Sequence, residues 1–321
     1  MKDAECFLSV PKFAFNNIGA FCVGYQMIDH LFKRFALPFM STHEVKAGKL
    51  RFSYEKHGTG KEVFVLVHGW CSVRNFWGPV LKDFIELGTC YNMDLIGHHP
   101  ATRAEDIHDL DLIKVTALQA AAIKAMVGKQ KITLVGHSTG GLIALNMAVQ
   151  NPELVKRVIA IGPVIHGPIK GPLGFAKDLY KLNLHAALHL PFAFIRSLPD
   201  AFRNIFESGV HDTKAFFKRA DAQSYVNAYR EQMLNLPPEA MGAWLNIIDK
   251  SDLRPVLSGN PAPALLITGS HDKVVTTQQA REIARKMPNA AYHEYSNSGH
   301  IPILEEEREC FENINIWLKA H

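Results

Sequence analysis

The chain reads as α/β: a doubly wound, mostly parallel sheet of eight strands with an inserted α-helical segment and an N-terminal amphipathic helix. Three observations predict this. Short β-branched apolar runs alternate with helix-length runs across residues 62–161 and again across 264–319. Such alternation implies parallel strands with helices on both faces of the sheet. Between these blocks, residues 164–236 offer no convincing strand, only helical stretches broken at Pro168, Pro172, Pro191 and Pro199. Finally, Lys131-Ile132-Thr133-Leu134-Val135 runs straight into Gly136-His137-Ser138-Thr139-Gly140, and a helix-forming run leaves it. That is a strand–turn–helix unit built around a serine.

In chain order, residues 1–42 form a helical segment of their own. Ile18, Phe21, Cys22, Tyr25, Ile28, Phe32 and Phe35 recur at three- and four-residue spacing, opposite Gln26, His30, Lys33 and Arg34. This is an amphipathic helix, and its apolar face has two readings. It packs against the body of the protein or a partner subunit, making a dimer, or it lies on a membrane surface as a peripheral contact. Charged and amide side chains interrupt it, so it lacks the ~20 consecutive apolar residues of a spanning helix. Acidic residues precede it and no small-x-small site follows, unlike a signal peptide.

The core is expected over 43–163 and 237–321. Residues 43–47 and 50–56 read as a hairpin about Gly48, and 62–67 as an apolar strand ending at His68-Gly69. A helix over 76–87, a strand over 89–95, a helix over 113–127 and the strand 131–135 follow. Next come a helix over 142–150 and a strand over 155–161, then the helical insertion 164–236. The last elements are a strand at 264–268, a helix at 278–286, a strand at 291–295 and a helix over 302–319.

Composition narrows the function. Hydrophobic residues at 47% and charged ones at 21% suit a globular protein. A net charge of +4 with no Lys/Arg run gives no footprint for nucleic acid. The five cysteines, Cys6, Cys22, Cys71, Cys90 and Cys310, are scattered and lack a Cys-x-x-Cys pair. They read as reduced thiols, which suits a cytoplasmic protein, peripherally membrane-bound if the N-terminal helix seeks lipid. His98, His99, His108, Asp109 and Asp111 lie close together but match no metal-ligand spacing, so a solvated loop is expected there.

A serine hydroxyl becomes a useful nucleophile when an imidazole takes its proton and a carboxylate holds that imidazole. In open α/β sheets such groups gather at the carboxyl ends of strands. His300 follows the last strand and Asp272 the strand at 264–268, giving the order Ser138, Asp272, His300. Asp94 also ends a strand, but it precedes the serine turn and reads as a turn-stabilising carboxylate. An oxyanion needs backbone donors, for which the N–H of Thr139 and that of Trp70 are candidates. His68, Gly69 and His137 flank them as expected substrate contacts.

Val67-His68-Gly69-Trp70, the Gly136–Gly140 turn, Gly269-Ser270-His271-Asp272 and Ser298-Gly299-His300 together resemble the α/β-hydrolase superfamily from about Lys49 onward. The resemblance implies a Ser138–Asp272–His300 triad, an oxyanion hole at Trp70 and Thr139, and a cap formed by the insertion. One departure is Asp94-Leu95-Ile96-Gly97 running into His98-His99-Pro100, where relatives often carry a second Gly and a Ser. Serine as nucleophile sets the chain apart from the epoxide hydrolases and haloalkane dehalogenases of that superfamily, which use an aspartate.

The expected reaction is hydrolysis of a small hydrophobic carboxylic ester, thioester or lactone through an acyl-enzyme, with no cofactor and no metal. Leu173, Phe175, Leu179, Tyr180, Leu182, Leu188, Phe192, Phe194, Ile195, Phe202, Ile205 and Phe206 make the cap apolar, either for docking or for gripping an acyl chain. Two alternatives stand beside this. One is a carbon–carbon bond hydrolase using the same triad, with Lys177, Lys181 and Arg196 holding a substrate carboxylate. The other is a non-catalytic binding protein of this fold.

Overall fold

The computed structural model describes residues 42–98 and 107–321. The expected N-terminal helix, together with Cys6, Cys22 and His99, lies outside the described residues. The strands are β1 His43–Ala47, β2 Leu50–His57, β3 Val63–Val67, β4 Thr89–Met93, β5 Ile132–His137, β6 Val155–Ile161, β7 Ala264–Gly269 and β8 Ala290–Tyr295. They form one sheet of eight strands in the order β1-β2-β4-β3-β5-β6-β7-β8. The β1–β2 and β2–β4 pairings are antiparallel, and every pairing from β4 to β8 is parallel.

Burial explains the strand sequences. All of Val63-Phe64-Val65-Leu66-Val67 in β3 is buried, as is all of β5 and β7. Helices cover both faces, so these strands need no polar side. The main core helices are α1 Leu81–Leu87, α2 Leu112–Val127 and α3 Thr139–Gln150. The helix expected over 76–87 is divided: Arg74–Val80 is a 3-10 turn, and α-helical geometry begins only at Leu81. Pro79 lacks the N–H an α-helix would use there.

The insertion folds as α4 Gly171–Lys181, α5 His189–Ser197, α6 Pro199–Ser208, α7 Thr213–Phe217 and α8 Ala222–Met233. Then comes α9 Pro238–Lys250, an element the sequence reading did not assign. Pro237-Pro238 starts it, and Ala240, Trp244, Ile247 and Ile248 give it a buried face. This helix packs on α4 and also reaches the core, since Trp244 Nε1 donates to Ile96 O at 2.7 Å. The remaining elements are α10 Thr277–Ala284, α11 Pro302–Glu305 and α12 Glu307–Ala320. A continuous helix over 302–319 was expected, but Glu306 leaves helical geometry at φ −120°, ψ 49°.

The strand order reverses between β3 and β5: β4 lies outside β3 on one side, and β6 to β8 follow β5 on the other. The crevice at the carboxyl ends of those two strands is where doubly wound sheets bind ligands. Beneath its rim, Gln119 of α2 pins the turn after β4. It donates from Nε2 to Asp94 O at 3.0 Å and accepts from Ile96 N at 3.2 Å. Asp94, buried, also accepts from Ser53 Oγ and from Arg74 Nε at 3.1 Å, which fits its reading as a turn-stabilising group.

No described helix is long and apolar enough to cross a membrane. Cys71, Cys90 and Cys310 are free thiols, and burial pushes Cys90 and Cys310 up to about 12. Gln119→Ala would strand a buried N–H and a buried C=O, so it should cost about 1–3 kcal/mol in urea unfolding.

Candidate active site

The site is built on the turn out of β5. Ser138 has φ 54° and ψ −114°, a conformation that few residues with a Cβ adopt. It is held there by backbone bonds: Ser138 N–H donates to Ile161 O of β6 at 2.8 Å. The flanking glycines are required by close approach. A Cβ on Gly136 would sit 2.2 Å from Gly140 O, and one on Gly140 would sit 2.2 Å from Val67 O. The turn is therefore pressed against its own helix and against the end of β3.

His300 meets this turn from the other side. Its carbonyl accepts from His137 Nε2 at 3.1 Å, and the two imidazoles lie 4.8 Å apart. A Cβ built on Gly162, at the end of β6, would lie 3.1 Å from His300 Nδ1. The residue beside Ser138 thus bonds His300, and Gly162, which follows β6, leaves no room for a Cβ beside the His300 ring. His300 Nδ1 lies 2.7 Å from Asp272 Oδ2, while Asp272 Oδ1 accepts from Val274 N at 2.8 Å and Val275 N at 2.9 Å. The Asp272 side chain is only 1% exposed. A carboxylate can only accept, so Nδ1 carries the proton and Nε2 is left as the basic nitrogen.

Thr139 and Trp70, where backbone donors are expected, directly follow Ser138 and Gly69 in the chain. Thr139 opens α3, where first-turn N–H groups have no helical acceptor and the helix dipole favours negative charge. The loop carrying Gly69 and Trp70 touches Ser138, since a Cβ on Gly69 would be 3.0 Å from Ser138 Cβ. Trp70 is fixed by its indole Nε1, which donates to Met241 O of α9 at 2.9 Å.

His68, expected to contact substrate, is fully buried and spent on the frame. Its Nδ1 donates to Gly69 O at 2.9 Å and its Nε2 accepts from Leu95 N at 3.2 Å, leaving neither nitrogen for a ligand. His137 is also buried, stacked on Phe76 at 4.3 Å. Burial first, and nearby His300 second, hold its pKa well below the ordinary histidine value, so it is neutral. The loop around His98 is not simply solvated as expected. His98 is buried edge-on to His68 at 5.0 Å, and burial holds it neutral too.

The helical insertion, the expected cap, is bonded to the loops around this turn. Tyr225 Oη donates to Phe76 O at 3.1 Å, Arg219 Nη1 donates to Leu304 O at 2.7 Å, and Gly209 O accepts from His300 N at 2.7 Å. Among the apolar cap residues, Tyr180, Leu188, Ile195 and Phe202 are buried, whereas Phe175, Leu182 and Phe194 are exposed. Docking on the core therefore accounts for only part of the cap's apolar content. Lys177 and Lys181 are engaged by Asp249 of α9, at 3.1 and 3.2 Å. The Arg196 side chain lies outside the described part. The tie between cap and His300 is the feature that sequence reasoning missed, because Gly209 and His300 are far apart in the chain and bond through backbone atoms.

The family model for the alpha/beta hydrolase fold matches residues 62–307. Pimeloyl-[acyl-carrier protein] methyl ester esterase of Aromatoleum aromaticum is 26% identical over 258 residues, covering 77% of this chain and 94% of the relative. An enol-lactonase structure from Burkholderia xenovorans superposes with a TM-score of 0.71 at 17% identity, covering 86% of this chain and 100% of that one. An esterase from Thermogutta terrifontis gives 0.70 at 19% identity, covering 87% and 98%. These structures share the fold.

Gly140→Ala should force the turn away from β3, lowering stability by about 1–3 kcal/mol in chemical denaturation. A well-folded Gly140→Ala with unchanged stability would mean that the turn is not packed as described.

Proposed function

The chain belongs to the alpha/beta hydrolase fold family, and on that premise we propose that it hydrolyses carboxylic esters, thioesters or lactones with a hydrophobic acyl or alcohol part. The observation that carries this is the buried His300 Nδ1–Asp272 Oδ2 contact of 2.7 Å, set against the strained turn at Ser138. Two relatives support it in kind, one named for a methyl ester and one for an enol-lactone.

In this reading His300 Nε2 takes the Ser138 proton as Oγ attacks the carbonyl carbon. The N–H groups of Thr139 and Trp70 receive the developing oxyanion, each contributing on the order of 3 kcal/mol. His300 then passes its proton to the leaving alcohol or thiol, and an acyl-enzyme remains on Ser138. Water, deprotonated by the same nitrogen, attacks that ester and releases the acid. Asp272 stabilises the imidazolium and fixes the tautomer without itself taking the proton. We assign Gly69 to the rim beside the oxyanion site, and His68 and His137 to holding the loops. The cap spans about 164–236, assisted by α9. The carbon–carbon reading gains nothing from Lys177 and Lys181, whose ammonium groups are already engaged by Asp249, with Asp178 also beside Lys177.

A p-nitrophenyl ester series from acetate to palmitate tests the proposal. Ser138→Ala and His300→Ala should each lower kcat by about 10⁴-fold or more. Near-wild-type turnover in either variant would remove that residue from its role. Turnover per KM should rise beyond acetate, and a flat series would strike out the hydrophobic acyl part. A fluorophosphonate probe should label Ser138; a wild type that it fails to label would be the non-catalytic binding protein instead.

A further inference from the structure

We propose that Glu305 is a positioning residue, whose carboxylate locks the His300 loop to the cap so that the imidazole is set only while the cap is seated. This rests on the reading of His300 as the base. Glu305 Oε1 accepts from Gly299 N, the residue before His300, at 2.8 Å. Its Oε2 accepts from His211 N at 2.6 Å, and His211 belongs to the cap segment between α6 and α7. Two residues earlier, Gly209 O takes the N–H of His300 itself at 2.7 Å. Consecutive amides of the loop are thus bonded to the cap, one directly and one through a single side chain.

The break at Glu306 belongs to this arrangement. A helix running on through 302–319 was the sequence expectation, yet α11 stops at Glu305 after one turn. Arg219 of the cap reinforces the joint by donating to Leu304 O at 2.7 Å. The task needs a carboxylate, because both partners are N–H donors. An amide offers one oxygen and would turn its own NH₂ toward the second donor. Asp272 fixes which nitrogen of His300 carries the proton, whereas Glu305 fixes where the backbone bearing that ring sits. Displacement of a reacting group by about 1 Å can cost on the order of 100-fold in rate.

The test uses the full chain with Glu305→Gln, which keeps shape and volume, and Glu305→Asp, which keeps the charge but shortens the reach. Two quantities are read: steady-state kinetics on a p-nitrophenyl ester, and the low-field proton resonance of the His300–Asp272 hydrogen bond, assigned by its loss in His300→Ala. Folded Glu305→Gln should lose roughly 10- to 100-fold in kcat with little change in KM, and its low-field resonance should shift or broaden. Wild-type kcat and an unchanged resonance would overturn the proposal, even with a lowered Tm, leaving Glu305 a structural staple. Should Glu305→Gln fail to fold, Glu305→Asp decides by the same two readings. If the wild type hydrolyses no ester, the esterase reading fails, and the resonance alone then decides for or against the clamp.

Discussion

Ser138 sits in a backbone region that costs a residue with a Cβ on the order of 1–3 kcal/mol, and such strain persists only where the surroundings over-determine it. Here the surroundings are the two strands on either side of the topological reversal. β6 takes the Ser138 amide through Ile161 O, and the end of β3 presses against Gly140. Both contacts require β3, β5 and β6 to be adjacent and parallel, as they are. The turn is therefore a consequence of the whole sheet, and every other group of the site is placed by reference to it.

The loops around the turn are held mainly by polar groups bonding to backbone. His68 joins the loop after β3 to the turn after β4, Gln119 and Trp244 fasten that turn from α2 and α9, and Trp70 is tied to α9. Buried polar groups are costly unless every one is matched, so a frame of this kind tolerates few alternative arrangements. It also explains why histidines crowd this part of the chain without sharing one task. Burial keeps His98 and His137 neutral, and one ring nitrogen of each bonds a backbone carbonyl, whereas the His300 ring meets the Asp272 carboxylate at 2.7 Å.

Much of the core was legible because its signals are local. A five-residue apolar run such as β3 declares a covered strand, and the glycines around Ser138 declare a tight turn. The order Ser138, Asp272, His300 could be read because each residue directly follows a strand. What escaped depends on distant partners. The burial of His98 comes from Trp244 and His68, and the break after Glu305 coincides with bonds to residues in the cap. α9 carries local signals in Pro237-Pro238 and its apolar spacing, but what its buried face packs on, α4 and the turn at Ile96, is distant in the chain. The apolar count of the cap could not show which of its residues would face solvent.

The Asp272–His300 pair shows why this site has to be assembled by folding. Removing a carboxylate from water is expensive, and Asp272 recovers that cost only through three donors converging on its two oxygens: Val274 N, Val275 N and His300 Nδ1. Two of the three are backbone groups of the turn after β7, so they orient the carboxylate independently of the imidazole. The imidazole then completes the set, supplying the third bond and gaining a fixed tautomer in return. Its own backbone is steered into place by β8 on one side and by Gly209 of the cap on the other. In the proposed reaction this electrostatic organisation is set during folding, so that the reacting bond would meet groups that need not reorganise.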